Sequence, residues 1–182
     1  MTKIVKIMIA GLGTVGSGVV NMLEKQNKIL EKKANCKIEL IAVADIDKKK
    51  KRKIRLKKVR YFSDAMSMLS DVRADILVEL IGGASGIALK LCKGALKKGC
   101  HVVTANKAML AHHGLALAKI AETNNSQIAF EASVGGGIPI LKGLREGLVG
   151  NQFSGVAGIF NGTCNYILTL SLIHISAPTS RY

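Results

Sequence analysis

The feature that most constrains this chain is a run of three glycines, Gly11, Gly13 and Gly16, in GLGTVG. They follow an apolar stretch, Ile4 to Ile9, that reads as a buried strand. After them, Val15, Val19, Met22, Leu23, Ile29 and Leu30 fall near helical spacing and predict a first helix over residues 14 to 32. A strand that passes through G-x-G-x-x-G into a helix is the phosphate-binding turn of parallel α/β sheets. Each glycine has its own task there. Gly11 permits the tight turn, Gly13 keeps a Cβ out of the path of a diphosphate, and Gly16 lets the helix approach the strand. Leu12, Thr14 and Val15 complete the loop, whose backbone amides would meet the diphosphate at the positive end of the helix. The competing reading is a tight turn that binds nothing.

The order of the remaining segments favours the binding turn. Residues 38–44 (IELIAVA) read as a second strand ending at Asp45, and Ser63 is expected to cap a short helix, SDAMSML. DILVEL, residues 75–80, reads as another buried strand, and Gly82 and Gly83 lead into a helix running to Leu96 and closed by Gly99. HVVT at 101–104 is a further strand, residues 114–123 a helix, and QIAFE at 127–131 the last strand of the set. Strands alternating with helices imply right-handed βαβ units and a doubly wound parallel sheet, the Rossmann arrangement. The glycine-rich SVGGGIP, residues 133–139, marks a boundary. A nucleotide-binding domain is expected over 1–135, the incomplete start of an α+β catalytic and dimerisation domain over 136–170, and an atypical tail over 171–182. In the second domain a helix is expected at 140–148 and a strand at 154–160.

At the end of the second strand, Asp45 is placed to accept a hydrogen bond from the ribose 2′-hydroxyl of NAD. Directly after it comes KKKKRK, residues 48–53, able to meet the additional phosphate of NADP. Both cofactors stay open on this evidence, with the basic run inclining the balance to NADP. The net charge of +15 raises nucleic acid as a partner. Yet residues 45–60 hold ten basic residues against two acidic ones, so eight of those charges sit in one loop. That loop has no interleaved aromatic residues, and no nucleic-acid-binding motif accompanies it. A solvated charge run is the ordinary alternative.

Four cysteines, Cys36, Cys92, Cys100 and Cys164, show neither CxxC pairs nor a nearby histidine at zinc-ligand spacing, so reduced thiols are expected. No apolar run approaches the roughly 18 to 20 residues of a membrane span, and the N-terminus lacks the pattern of a secretory signal. A cytoplasmic protein without a membrane partner is the expectation.

Three further motifs, VTANKAML at 103–110, EASVGGGIPI at 131–140 and GIFNGTCNYIL at 158–168, follow GLGTVG in order. Together they resemble the homoserine dehydrogenases, over residues 3 to about 170. The resemblance implies interconversion of L-homoserine and L-aspartate 4-semialdehyde with NAD(P)(H), in the synthesis of threonine, methionine and isoleucine. It implies that Lys107 lies near the nicotinamide and phosphates, with Thr104 and Ala105 lining the same cleft, and that Gly162 and Thr163 reach the nicotinamide end. It also implies a monovalent cation, sodium, held by Glu131, Val134, Gly136 and Ile138; on residue type alone these read instead as a glycine hinge with a solvated glutamate. Thr163 has a second reading as a helix cap, and Cys164, with no base beside it, reads as buried. The likeness stops near Ser171, where SLIHISAPTSRY replaces the expected acidic helix and proton-donor lysine. The chain is therefore expected to be an inactive fragment lacking that lysine, of an enzyme that is a homo-oligomer at full length. His174 in the tail reads as exposed rather than as a substitute acid. Two other readings are another Rossmann reductase for an amino-acid aldehyde or imine, and a basic module binding NAD(P) or anions.

Overall fold

A computed structural model describes residues 3–47 and 53–158. Its first strand, β1 (Ile4–Ala10), runs into the glycine turn and then into a 21-residue helix, α1 (Thr14–Ala34). Next come β2 (Lys37–Ala44), β3 (Arg60–Phe62), α2 (Ala65–Asp71), β4 (Ile76–Glu79) and α3 (Ile87–Lys97). The first unit is completed by β5 (His101–Thr104), α4 (Lys107–Thr123) and β6 (Ile128–Ala129). All pairings are parallel, in the order β3-β2-β1-β4-β5-β6. The order reverses between β1 and β4, and a crevice opens beyond the carboxyl ends of strands at such a switch point.

Alternation along the strands feeds two cores. Ile7, Ile9, Val43 and Val78 point to one face, where they pack with Leu12, Val20, Val19 and Leu23. Met8, Ala10, Ala42, Ala44, Leu77 and Val102 point to the other, against Met68 and Leu69 of α2, Leu91, Cys92 and Leu96 of α3, and Met109 and Leu117 of α4. Small alanines on this second face let the helices come close, which offsets the scarcity of aromatic residues.

Several local expectations are corrected. Asp64, not Ser63, caps α2, its carboxylate accepting the Ser67 amide at 2.6 Å and the Ser67 hydroxyl at 2.8 Å. The two bonds from Ser67 hold the Asp64 carboxyl below the ordinary aspartate range. The edge strand β3 has no sequence periodicity, because three residues are too few to display one. The helix after Gly82 begins only at Ile87, since Gly82, Gly83 and Gly86 all take positive φ and form a loop. Helix α4 begins at Lys107 rather than at 114: Asn106 caps it, its side chain accepting the Met109 amide at 3.1 Å. Residues 154–158 form no strand, and two of them, Gly155 and Gly158, weaken any strand tendency.

The chain divides into two compact units at Phe130/Glu131. From Glu131 onward, the second unit has a 3₁₀ turn (Glu131–Ser133), one helical turn, α5 (Ile140–Lys142), and a π-helical turn (Gly143–Gly147), where the sequence predicts one helix to Leu148. No described helix is long and apolar enough to cross a membrane.

Candidate functional site

At the glycine turn, each glycine has the environment its spacing implies. Gly11 has φ +96°, and a Cβ there would lie 2.5 Å from the Leu80 carbonyl oxygen. Gly16 faces its own loop so closely that a Cβ would meet the Gly11 carbonyl oxygen at 1.9 Å. Gly13 differs: a Cβ would find no atom within 4 Å. Open space therefore lies over the start of α1, where no side chain caps the helix and no acidic residue occupies the first turn. Uncapped first-turn amides and the helix dipole together favour an anion. The amides of Leu12, Gly13, Thr14, Val15 and Gly16 all belong to this turn, but that of Leu12 is engaged with Asp45.

Asp45 sits just past β2, and its carboxylate ties that strand to the turn. Oδ2 accepts the Leu12 amide at 2.6 Å and Oδ1 accepts the Asp47 amide at 2.9 Å. The Tyr61 hydroxyl donates to the Asp45 carbonyl at 2.8 Å, fixing the backbone beneath the carboxylate. A cavity of about 380 Å³ opens beside these groups, lined by Gly11, Gly13, Asp45, Ile46, Ile81 and Ile87 among others. Ile46 is 93% exposed, an apolar side chain standing in water at the rim. The structure thus brings Gly11, Gly13 and Asp45 to one cavity, whose acidic lining also includes Asp47 and Asp64, while the Leu12 side chain is buried in the core and only its amide meets Asp45. Of the basic run, Lys48, Lys49, Lys50, Lys51 and Arg52 lie outside the described residues.

Across the crevice, Thr104 ends β5 and Lys107 begins α4. Lys107 is exposed at the carboxyl end of a parallel strand, where side chains meet ligands. Thr104 is 1% exposed and turned inward: its hydroxyl donates to Glu79 at 2.6 Å and accepts the Asn106 amide at 3.0 Å. Two residues here escape a reading of the sequence. Glu79 is a fully buried carboxylate at the end of β4, and Asn106 is both helix cap and loop tether. The available signals were an acid closing an apolar run before two glycines, and an asparagine preceding a lysine-led helix.

In the second unit, the Glu131 carboxylate accepts the amides of Leu141 and Lys142, each at 2.9 Å. Gly135 and Gly136 follow with φ +69° and +64°, so the turn carrying Val134, Gly136 and Ile138 needs glycine twice. The Ile138 carbonyl accepts the Ile140 amide at 2.8 Å. Both Glu131 oxygens thus hold the start of α5. No cluster of three or more His, Cys, Asp or Glu suited to a metal occurs among the described residues. Gly162, Thr163, Cys164 and His174 lie outside them.

The buried thiols are inert at neutral pH. Burial raises Cys100 to about 11, and burial together with the nearby Glu79 charge pushes Cys92 higher still.

Comparison with known proteins agrees with this architecture. Residues 11–131 match the family model "Homoserine dehydrogenase, NAD binding domain", and residues 139–173 match "Homoserine dehydrogenase". The homoserine dehydrogenase of Neisseria gonorrhoeae is 40% identical over 167 residues, 92% of this chain and 38% of the relative. That of Helicobacter pylori is 42% identical over 171 residues, 93% of this chain and 39% of the relative. The crystal structure of a homoserine dehydrogenase from Thiobacillus denitrificans superposes with a TM-score of 0.85 at 35% identity, over 95% of this chain and 40% of that one. The chain thus spans about two fifths of the length of the relatives it matches.

Proposed function

The chain belongs to the homoserine dehydrogenase family of oxidoreductases, and from that premise we propose that residues 1–130 form the NAD(P)-binding part of an enzyme interconverting L-homoserine and L-aspartate 4-semialdehyde. The observation that carries this reading is the empty approach to Gly13. A Cβ there would meet nothing within 4 Å, whereas Gly11 and Gly16 are pressed against backbone. Packing explains two of the three glycines, and the close approach of a diphosphate to the backbone would account for the third.

In this reading the first-turn amides of α1 hold the diphosphate and Asp45 orients the adenosine ribose. Ile46, Ile81 and Ile87 offer apolar surface to the adenine. A reduced dinucleotide held by these residues would provide the hydride for reduction of the aldehyde carbon. Lys107 attracts the phosphates and holds the ring end of the crevice. Asp45, Asp47 and Asp64 make the ribose end acidic, which favours NAD, while the basic run after Asp47 favours NADP. The basic charges outnumber the acidic ones across that loop, and the balance falls to NADP. For the second unit we propose a sodium site on Glu131 and the carbonyls of Val134, Gly136 and Ile138; an all-oxygen donor set with one negative charge suits a hard cation of low charge. The whole enzyme is proposed to be a cytoplasmic homo-oligomer acting in threonine, methionine and isoleucine synthesis.

Titration with NADPH and with NADH tests the reading. Enhanced nicotinamide emission and a raised melting temperature are expected, with NADPH binding the tighter. No response to either dinucleotide would remove the assignment.

A further inference from the structure

Glu79 has no exposed surface, yet it carries a carboxylate. Burying such a group is unfavourable unless every oxygen is bonded, and here the bonds close a circuit. Oε1 accepts the amides of Ile81 at 2.8 Å and Gly82 at 3.1 Å; Oε2 accepts the Thr104 hydroxyl at 2.6 Å. Thr104 accepts the Asn106 amide at 3.0 Å, and the Asn106 side chain donates to the Gly83 carbonyl at 2.8 Å, returning to the loop that Glu79 holds. The remaining oxygen of Asn106 caps α4, whose first residue is Lys107.

The loop limb of this circuit borders the cavity beside Asp45, which Leu80, Ile81 and Ile87 line. Its other limb runs from Thr104 through Asn106 to the start of α4, on the side of β5 where a doubly wound sheet takes the second nucleotide. The loop it tethers contains three positive-φ glycines, Gly82, Gly83 and Gly86, and has little rigidity of its own. An apolar residue at 79 would fill the space without fixing either limb.

We propose that Glu79 is a positioning residue for the nicotinamide half of the crevice, acting through Thr104 and Asn106 on the backbone that opens α4. The inference rests on the dinucleotide reading above. Glu79→Gln separates the two limbs. Its remaining oxygen still accepts the loop amides, but its NH₂ group faces a Thr104 hydroxyl that then has no acceptor for its proton.

The test uses the 182-residue chain and two probes: NADPH, and 2′-phospho-ADP-ribose, which is NADPH without the nicotinamide ring. Wild type is expected to bind NADPH more tightly. Glu79→Gln weakens NADPH roughly tenfold, the effect of one lost charge-assisted bond, and leaves 2′-phospho-ADP-ribose within about twofold. Thr104→Val reproduces the effect, and Thr104→Ser, which restores the hydroxyl, reverses it. Equal loss for both probes, unchanged NADPH affinity in Glu79→Gln, or unfolding of both Glu79→Gln and Thr104→Val reduces the circuit to structural support and overturns the proposal. Wild type binding both probes equally overturns it too. Wild type binding neither overturns the dinucleotide reading first.

Discussion

Alanine at Gly13 separates a turn made for packing from a turn made for a ligand. In the free protein the new methyl meets nothing within 4 Å, and the backbone φ of −65° is ordinary for alanine. The folded state therefore incurs no clash. Restricting the unfolded chain contributes about 0.4 to 1 kcal/mol of stabilisation, a rise of roughly 1 to 4 °C in a chain of this size. For a bound diphosphate the same methyl occupies the approach to the α1 amides. Losing one hydrogen bond to a charged group costs about 1.5 to 3 kcal/mol, which is roughly 10- to 150-fold in affinity. Thermal melting and titration of NADPH emission read the two effects on one sample. The expected variant is at least as stable as wild type and binds at least tenfold more weakly. Affinity within twofold of wild type would mean that the space over Gly13 is not where the ligand lies. A fall in melting temperature of several degrees would mean that Gly13 serves packing after all.

Gly16→Ala should behave in the opposite way. Its methyl would sit 1.9 Å from the Gly11 carbonyl oxygen, so helix and turn must part, at about 3 kcal/mol or more and a melting point lowered by roughly 6 to 12 °C; unchanged melting would contradict the packing described. Cys92 and Cys100 should resist iodoacetamide at pH 8 in the native protein and react once it is unfolded, while the partly exposed Cys36 reacts first; early labelling of Cys92 would refute its burial. Because the folded pKa of Cys100 is raised to about 11, above the ordinary thiol value of 9.0, its contribution to stability is complete below pH 9 and is lost as pH climbs from 9 to 11. A melting temperature flat across that window would refute the shift. At sodium ten times its dissociation constant, replacing sodium by tetramethylammonium should remove about 1.4 kcal/mol, roughly 3 to 6 °C, and Glu131→Gln should abolish that sensitivity; an equal response in wild type and variant would count against the cation site.

How much of this was legible in the sequence follows the range over which each feature is encoded. The glycine turn was readable because strand, turn and helix lie within one short segment, and each glycine's neighbour is fixed by that local geometry. Asp45 was readable as the last residue before a turn, though not its bond to the Leu12 amide, which joins positions 33 apart in sequence. The edge strand Arg60–Phe62 was missed because its identity comes from pairing with Ala42–Ala44 rather than from its own pattern. The early start of α4 was missed because apolar residues are spread around that helix and blur its period, while the decisive cap is one asparagine side chain.

Glu79 shows the limit most clearly. As one letter in DILVEL it reads as a minor flaw in a buried strand, since strand patterning distinguishes inside from outside and says nothing of what lies within bonding distance. Its partner Thr104 is 25 residues away, and Asn106 joins the loop across 23. The sheet supplies the missing term. Parallel pairing sets Glu79 directly against Thr104 in the β4–β5 register, so two strands that individually look like core segments deliver a carboxylate and a hydroxyl to one point. The register brings these groups together at the carboxyl end of the sheet, where loops are free to meet a ligand. A buried charge elsewhere in the sheet would only weaken the core; at this edge the same charge can hold two loops at a fixed separation. That difference is why a residue that appears to spoil a strand is here read as a device for shaping the crevice.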